Sequence, residues 1–446
     1  MRRPLTRLML STMALAISSA PAFAADKAAH KAETAPDTVI HAGRLIDGVS
    51  QQPRARVTIR IHDDRIVAVE DGFVTPKGAR VIDLSNETVM PGMIDCHVHI
   101  TGGGSRDRLH TTPERVAIQS SWNMRNILMH GVTAVRDVSG DINVLKALQE
   151  SIEAGITPGP HLWYSGMSLT PTGGPADFSK GQDPAWTRSD GWLDNVIDSP
   201  NEAVHAVRDR KQKGASVIKI NSSGGVASSG IDVSKQVLAQ DELDAIVKTA
   251  HSLRMKVATH AHGEPGIHAA LLAGVDSIEH GTFANEGDYK LMKDRGVYLV
   301  PTLYAAHEIH EVAEKNPDTL APDVREKALR VTPLMMGNLT RAYRYGVKIA
   351  MGTDQLGYHP LGDDAKEFAW MVEAGMTPMD AIIAGTSHGA DLIGHPELGA
   401  IQPDKTADII ALPDDPLKDI TALQRVSFVM KAGVVVKTGG KPVIKD

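Results

Sequence analysis

The spacing of apolar positions changes twice along the chain. From residue 38 to 92, apolar residues come in short runs suited to strands, at 38–41, 57–61 and 66–69, broken by turn signals such as Asp63-Asp64 and Pro76-Lys77-Gly78. The same texture returns at 409–412, 426–431 and 434–437. Between these ends, strand-length apolar runs at 93–99, 132–137, 162–166, 217–221, 256–260, 277–280, 297–301 and 347–354 alternate with stretches of helical period. In the clearest of those, Leu243, Ile246, Val247 and Ala250 fall at i, i+3, i+4 and i+7, one face of a helix. Gly131, Gly214, Gly274, Gly296 and Gly346 stand just before strands, where each would end the preceding helix. Eight strand–helix units predict a (β/α)8 barrel, with a doubly wound parallel sheet as the competing topology. The expected division is a leader at 1–24, a disordered lead-in at 25–37, a β-sandwich domain composed of 38–91 and 402–446, and a barrel at 92–401.

Composition narrows the function without choosing it. The 446 residues are 42% hydrophobic and 23% charged, enough to bury a large core. A net charge of −7 with no basic run lacks the electrostatic footprint of a nucleic-acid or anionic-membrane partner. Arg2, Arg3 and Arg7, an apolar stretch at 8–17 and then Ala22-Phe23-Ala24 read as a secretory signal, with the mature chain beginning at Ala25. The expectation is a periplasmic or secreted protein with no stable membrane insertion, since no later apolar run has the length of a span. The single cysteine, Cys96, rules out an intrachain disulfide and lies in an apolar run, where it reads as a buried strand residue.

In a parallel barrel, reactive side chains lie at the C-terminal ends of the strands, where the following loops build the site. The polar residues fall there: His97 and His99 end the first strand, Lys219 the fourth, His260 the fifth, His280 the sixth and Asp354 the eighth. Residues i and i+2 of a strand face the same side, so His97 and His99 can converge on one ion. By the same alternation His262 turns toward the site beside His260. A purely structural alternative pairs Lys219 with Asp354 inside the barrel.

The segment Val89-Met90-Pro91-Gly92-Met93-Ile94-Asp95 before His97-Val98-His99 resembles the entry strand of the amidohydrolase superfamily. The likeness extends through Gly131-Val132-Thr133-Ala134-Val135-Arg136-Asp137, the stretch from Gly274 to His280 with Gly281-Thr282, and Ala407-Asp408-Ile409-Ile410. Ile218-Lys219-Ile220 followed by Gly224-Gly225-Val226 is similar to the branch with a strand-4 lysine. That branch includes Xaa-Pro-type dipeptidases, carboxypeptidase-like enzymes and ochratoxin-hydrolysing amidases. The resemblance implies that Lys219 is carboxylated on its amine and bridges two divalent ions. It assigns His97, His99 and Asp354 to the first ion and His260 and His280 to the second. An ammonium would repel a cation, whereas a carbamate offers anionic oxygens. Zinc suits the imidazole-rich set, manganese or cobalt fit the same donors, and a single ion is the alternative. Such ions would lower the pKa of a water and polarise the scissile carbonyl, while Asp354 takes a proton and returns it to the leaving nitrogen.

The substrate expectation is a small molecule or short peptide cleaved beside a C-terminal amino acid: a dipeptide, an N-acyl amino acid or an ochratoxin-like amide. Lactones, cyclic amides and phosphotriesters suit the same chemistry, and a non-catalytic binding protein is the reading from another class. His262 and Tyr304 are the candidate substrate-binding residues, Tyr304 because similar enzymes place a tyrosine after strand 7. The stretch 170–192, with Trp186 and Trp192, is a candidate lid; it reads Thr172-Gly173-Gly174-Pro175 where the branch usually follows Thr-Gly-Gly with histidine. Arg136 either meets a substrate carboxylate or forms a structural ion pair in the neighbourhood of Asp137. The resemblance also implies a homo-oligomer.

Overall fold

The computed structural model describes residues 37–102, 111–187 and 193–443. The expected leader, nearly all of the lead-in, His110 and Trp192 lie outside the described residues, as does the side chain of Trp186. Four strands open the fold: β1 (Thr38–Leu45), β2 (Arg54–His62), β3 (Arg65–Asp71) and β4 (Arg80–Pro91). Eight short parallel strands follow: β5 (Met93–Val98), β6 (Val132–Asp137), β7 (His161–Tyr164), β8 (Val217–Asn221), β9 (Lys256–Ala261), β10 (Ser277–His280), β11 (Tyr298–Val300) and β12 (Lys348–Ile349). Strands β13 (Ile409–Leu412), β14 (Phe428–Lys431), β15 (Val434–Thr438) and β16 (Lys441–Pro442) complete the set.

The eight parallel strands form runs β5-β6-β7 and β8 to β12. Backbone hydrogen bonds close both seams. Beyond β7, Leu169 N–H donates to the Lys219 carbonyl at 2.8 Å and the Leu169 carbonyl accepts from Asn221 N–H at 3.0 Å. At the other seam Cys96 N–H donates to Met351 O at 3.0 Å and Asp354 N–H to His97 O at 2.8 Å. The result is a closed (β/α)8 barrel, and the doubly wound alternative falls because such a sheet keeps two open edges. The expected helix faces are buried, Leu243, Ile246, Val247 and Ala250 among them, and Gly274 and Gly346 end their helices at φ 94° and 91°. Cys96 is buried inside the barrel wall.

Both chain ends build one eight-stranded sheet in the order β16-β15-β14-β13-β4-β1-β2-β3. It curls back on itself: Ala407 N–H meets Asp64 O at 2.8 Å and Ile66 N–H meets Lys405 O at 2.9 Å, so residues of β1, β2, β4, β13 and β14 share a core. β4 is a strand that apolar spacing does not predict, because Asp83 and Ser85-Asn86-Glu87 interrupt its alternation. It pairs in parallel with β1 across a bulge at Gly43, where an added Cβ would lie 2.2 Å from Ser85 O. Gly92 then lets the chain pass from sheet to barrel, since a Cβ there would lie 2.1 Å from Thr133 Oγ1.

A satellite core stands apart from the barrel. It joins Ile309 and Val312 of helix Leu303–Lys315, Val324, Ala328 and Val331 of helix Pro322–Tyr345, and Val226 and Val233 of the segment after β8.

Candidate metal centre

Three strand ends bend sharply to aim their side chains. His280, the last residue of β10, and Thr302 and Asp354, which follow β11 and β12, adopt φ 70°, 51° and 52°. Non-glycine residues take this left-handed conformation at a cost, and such strain concentrates at functional sites.

The expected ligand residues converge in two groups, His97 with His99 and Asp354, and His260 with His280 and His262; donor atoms within each lie within 4.8 Å of one another. His99 Nε2 is 3.0 Å and His97 Nε2 3.5 Å from Asp354 Oδ1. Lys219 Nζ lies 3.4 Å from His97 Nε2, between strand ends. His260 Nδ1 and His280 Nε2 are 2.9 Å apart. Donors in a tetrahedral site with metal bonds of about 2.0–2.1 Å lie roughly 3.3 Å apart, so these separations suit shared ions.

The outward nitrogens decide the tautomers. His280 Nδ1 is 2.6 Å from Thr302 Oγ1, whose own proton goes to the Pro301 carbonyl at 2.8 Å. His280 must therefore donate from Nδ1. His260 Nε2 is 3.3 Å from the Gly224 carbonyl, which can only accept. The two inward nitrogens at 2.9 Å are thus both lone pairs, an arrangement that a cation between them resolves. In the other group His99 donates from Nδ1 to the Ser139 carbonyl at 3.0 Å and His97 from Nδ1 to Glu279 Oε2 at 2.7 Å. Every expected ligand imidazole has its outer nitrogen tied, as metal-binding histidines usually do. The donor set fits divalent ions.

Electrostatics favour the same state. Burial holds the His97 imidazole down at about 4, with Lys219 adding to it, and holds His260 and His280 well below the ordinary value. These imidazoles are neutral and available as ligands. Burial tends to raise the Asp354 carboxyl, but His97, His99 and Lys219 outweigh it and keep the group well below the carboxylate range. Lys219 is pushed down to about 8 by burial, against the pull of Glu279 and Asp354. An amine so lowered is neutral in a substantial fraction at mild alkaline pH.

Several supporting residues escaped sequence reasoning. Glu279 accepts from Arg136 Nη2 at 2.9 Å, Ser277 Oγ at 2.5 Å and His97 Nδ1. Asp95 accepts from His97 N–H at 2.9 Å and from Thr353 N–H and Oγ1 at 3.1 and 2.6 Å, lacing β5 to the end of the eighth strand. A buried acid in a barrel strand is a signal that a partner exists, but one sequence does not say which. Arg136 is sealed in and bound to Glu279, which resolves its two readings in favour of the ion pair.

The two candidate substrate residues fare differently. His262 joins the second group: it stacks on His280 at 4.7 Å and its Nδ1 is 2.7 Å from Thr282 Oγ1. Tyr304 is buried against Trp370 at 5.6 Å, and no hydrogen bond or ring contact joins it to the ligand set among the described residues. Of the candidate lid, Ala176 and Asp177 are buried and Thr170 bridges to Val196, so its first part is packed. A third cluster, Glu264, His268 and Asp288, lies on neighbouring helices, where Asp288 already holds His268 and caps its own helix at Asn285.

A closed parallel barrel with two ligand groups at its strand ends, one of imidazoles with a carboxylate and one of imidazoles alone, defines a metallohydrolase architecture. The chain belongs to the amidohydrolase family, whose model matches residues 88–436. It is 32% identical to ochratoxinase of Aspergillus niger over 431 residues, covering 90% of this chain and 87% of that protein. It superposes on a Xaa-Pro dipeptidase with bound methionine at a TM-score of 0.85 and 37% identity, covering 90% of this chain and 100% of that one. A prolidase complexed with N-methylphosphonate-L-proline gives 0.83 and 31%, with 90% and 100% covered. The chain is accordingly a hydrolase acting on C–N bonds.

Proposed function

We propose that this amidohydrolase cleaves the amide bond beside a C-terminal amino acid, in dipeptides, N-acyl amino acids or ochratoxin-like amides. The observation that carries the reading is the pair of neighbouring ligand groups, His97 and His280 rings 5.4 Å apart, with Lys219 Nζ beside His97, in a chain similar over nine-tenths of its length to enzymes named for such substrates. His97, His99 and Asp354 would hold one divalent ion, His260 and His280 the other, and Lys219, carboxylated on its amine, would supply anionic oxygens to both. Zinc suits these donors best. Bound there, the ions polarise the scissile carbonyl and lower the pKa of a water. Asp354, kept ionised by His97, His99 and Lys219, accepts the proton of the attacking water and returns it to the departing nitrogen. His262, neutral because burial holds it at about 4, joins the second ligand group and offers a ring nitrogen to substrate. Tyr304, its ring packed on Trp370, meets substrate through its hydroxyl. The protein is exported behind its N-terminal leader and assembles as a homo-oligomer.

The test is amino-acid release by zinc-loaded protein from a panel of dipeptides and N-acyl amino acids ending in Phe, Leu, Pro, Arg or Asp, with an ochratoxin-type amide of Phe. Release confined to one class of C-terminal residue supports the reading and names the pocket. A protein that holds two ions and releases nothing refutes it, and turns the search to lactones, cyclic amides and phosphotriesters.

A further inference from the structure

One turn of helix Pro322–Tyr345 grips the loop that follows β8. The buried Lys327 ammonium donates to three carbonyls of that loop: Gly225 at 3.3 Å, Ile231 at 3.2 Å, and Ser228. Three N–H groups meet three acceptors, which is how a buried ammonium escapes the cost of lost hydration. One turn earlier, Asp323 accepts from Ser229 Oγ at 2.9 Å and Gly230 N–H at 2.7 Å, and lies 3.5 Å from Lys327. Val226 and Val233 anchor the same loop in the satellite core.

The loop presents the backbone of two glycines to His260. Gly224 offers its carbonyl to His260 Nε2, and a Cβ on Gly225 would come within 3.2 Å of that nitrogen. A Cβ on Gly224 would lie 2.2 Å from Asp232 O, so the loop is drawn tight on both sides. Removing the ammonium would take the Lys327 donor from the Ser228 and Ile231 carbonyls and leave Gly225 O only the Ser228 N–H at 3.4 Å, and the loop would relax away from His260.

We propose that Lys327 is a positioning residue for the second ion: it pins the 224–231 loop so that the Gly224 carbonyl fixes the His260 tautomer, leaving the Nδ1 lone pair facing His280. The inference rests on the two-ion reading above. Among the described residues Lys327 makes no hydrogen bond to a ligand residue; it acts through the loop that carries Gly224.

The experiment compares wild type, K327M and K327R, counting zinc retained per chain against graded chelator and digesting the metal-free proteins with a protease that cuts within 224–237. K327M is expected to hold the first ion as wild type does, to bind the second about 10–100-fold more weakly, and to be cut faster in the loop. K327R, which restores the charge, is expected to recover part of the second ion's affinity. If K327M does not fold, K327Q, which keeps two of the donors, serves in its place. Unchanged retention of both ions, or equal weakening of both, overturns the proposal. Wild-type protein that holds one ion overturns the two-ion reading itself, and this outcome is recognisable because it needs no substitution.

Discussion

Replacing Glu279 by glutamine tests the deepest charge network in the barrel. Burial works to raise this carboxyl, but the Arg136 guanidinium and the bond from His97 outweigh it and hold it down at about 2, from an ordinary 4.5. At roughly 1.4 kcal/mol per pH unit, such a depression corresponds to about 3 kcal/mol of folding free energy at neutral pH. An independent route gives a similar size, since removing one member of a buried ion pair typically costs about 3–5 kcal/mol by stranding the other charge. In E279Q the stranded charge is Arg136, whose Nε also donates to Cys96 O at 2.6 Å and cannot follow a new partner. The sign of the pH dependence follows from the depressed value. The stabilisation is complete above the unfolded value near 4.5 and disappears as pH falls through the folded value near 2.

Urea unfolding of the metal-free proteins should therefore show E279Q about 3–5 kcal/mol less stable from pH 8 down to pH 5, with the gap narrowing only in more acid solution. The double variant R136M/E279Q, with no stranded cation, should recover part of the loss. An E279Q protein within about 0.5 kcal/mol of wild type at pH 7, the size of an ordinary surface change, would refute the reasoning. So would a gap that widens as pH falls from 5.

Two further substitutions probe the ligands and their supports. D354N should keep its backbone, because asparagine tolerates the left-handed φ of 52°, while turnover falls by about 10²–10⁴-fold; kcat with parallel elemental analysis checks it, and a variant keeping a tenth of wild-type turnover excludes proton transfer through Asp354. T302V removes the acceptor of His280 Nδ1–H and should weaken zinc binding at the second group about 10–100-fold, whereas T302S, which keeps the oxygen, should not. Equal zinc retention in both variants would show that Thr302 does not orient His280.

The six expected ligand residues were legible because barrel geometry gives them a common address, the C-terminal ends of strands recognised from their apolar period. Their supports were not. Arg136 and Glu279 are 143 residues apart, and nothing local in either strand says that they meet. The partners of His260 and His99 are backbone carbonyls, Gly224 and Ser139, which every residue type possesses. Lys327, four residues after Asp323 on a helix, reads in sequence as an ordinary surface pair, yet its ammonium is enclosed by carbonyls of a loop about a hundred positions earlier. β4 was hidden for the opposite reason: its polar middle, Ser85-Asn86-Glu87, is itself the bulge, three residues against Gly43 of β1, where strict alternation is not required.

The two ligand groups also differ in charge, and this sets an order of ion loss. The first group contains the Asp354 carboxylate and has ionised Glu279 behind His97. The second has imidazoles alone, backed by a carbonyl and a hydroxyl. In the two-ion reading, the only protein anion among the described residues that the second ion receives is therefore the carboxylated Lys219. Carboxylation requires the neutral amine, and a pKa near 8 instead of 10.5 makes that form roughly 300-fold more abundant at pH 7. Reloading of metal-free protein with zinc should then accelerate with added bicarbonate and rise with pH to a half-maximum near 8. Under progressive chelation the second ion should leave first, and K219A should retain one ion per chain. Loss of both ions together from K219A would show that Lys219 organises the first group as well, and that charge alone does not rank the two sites.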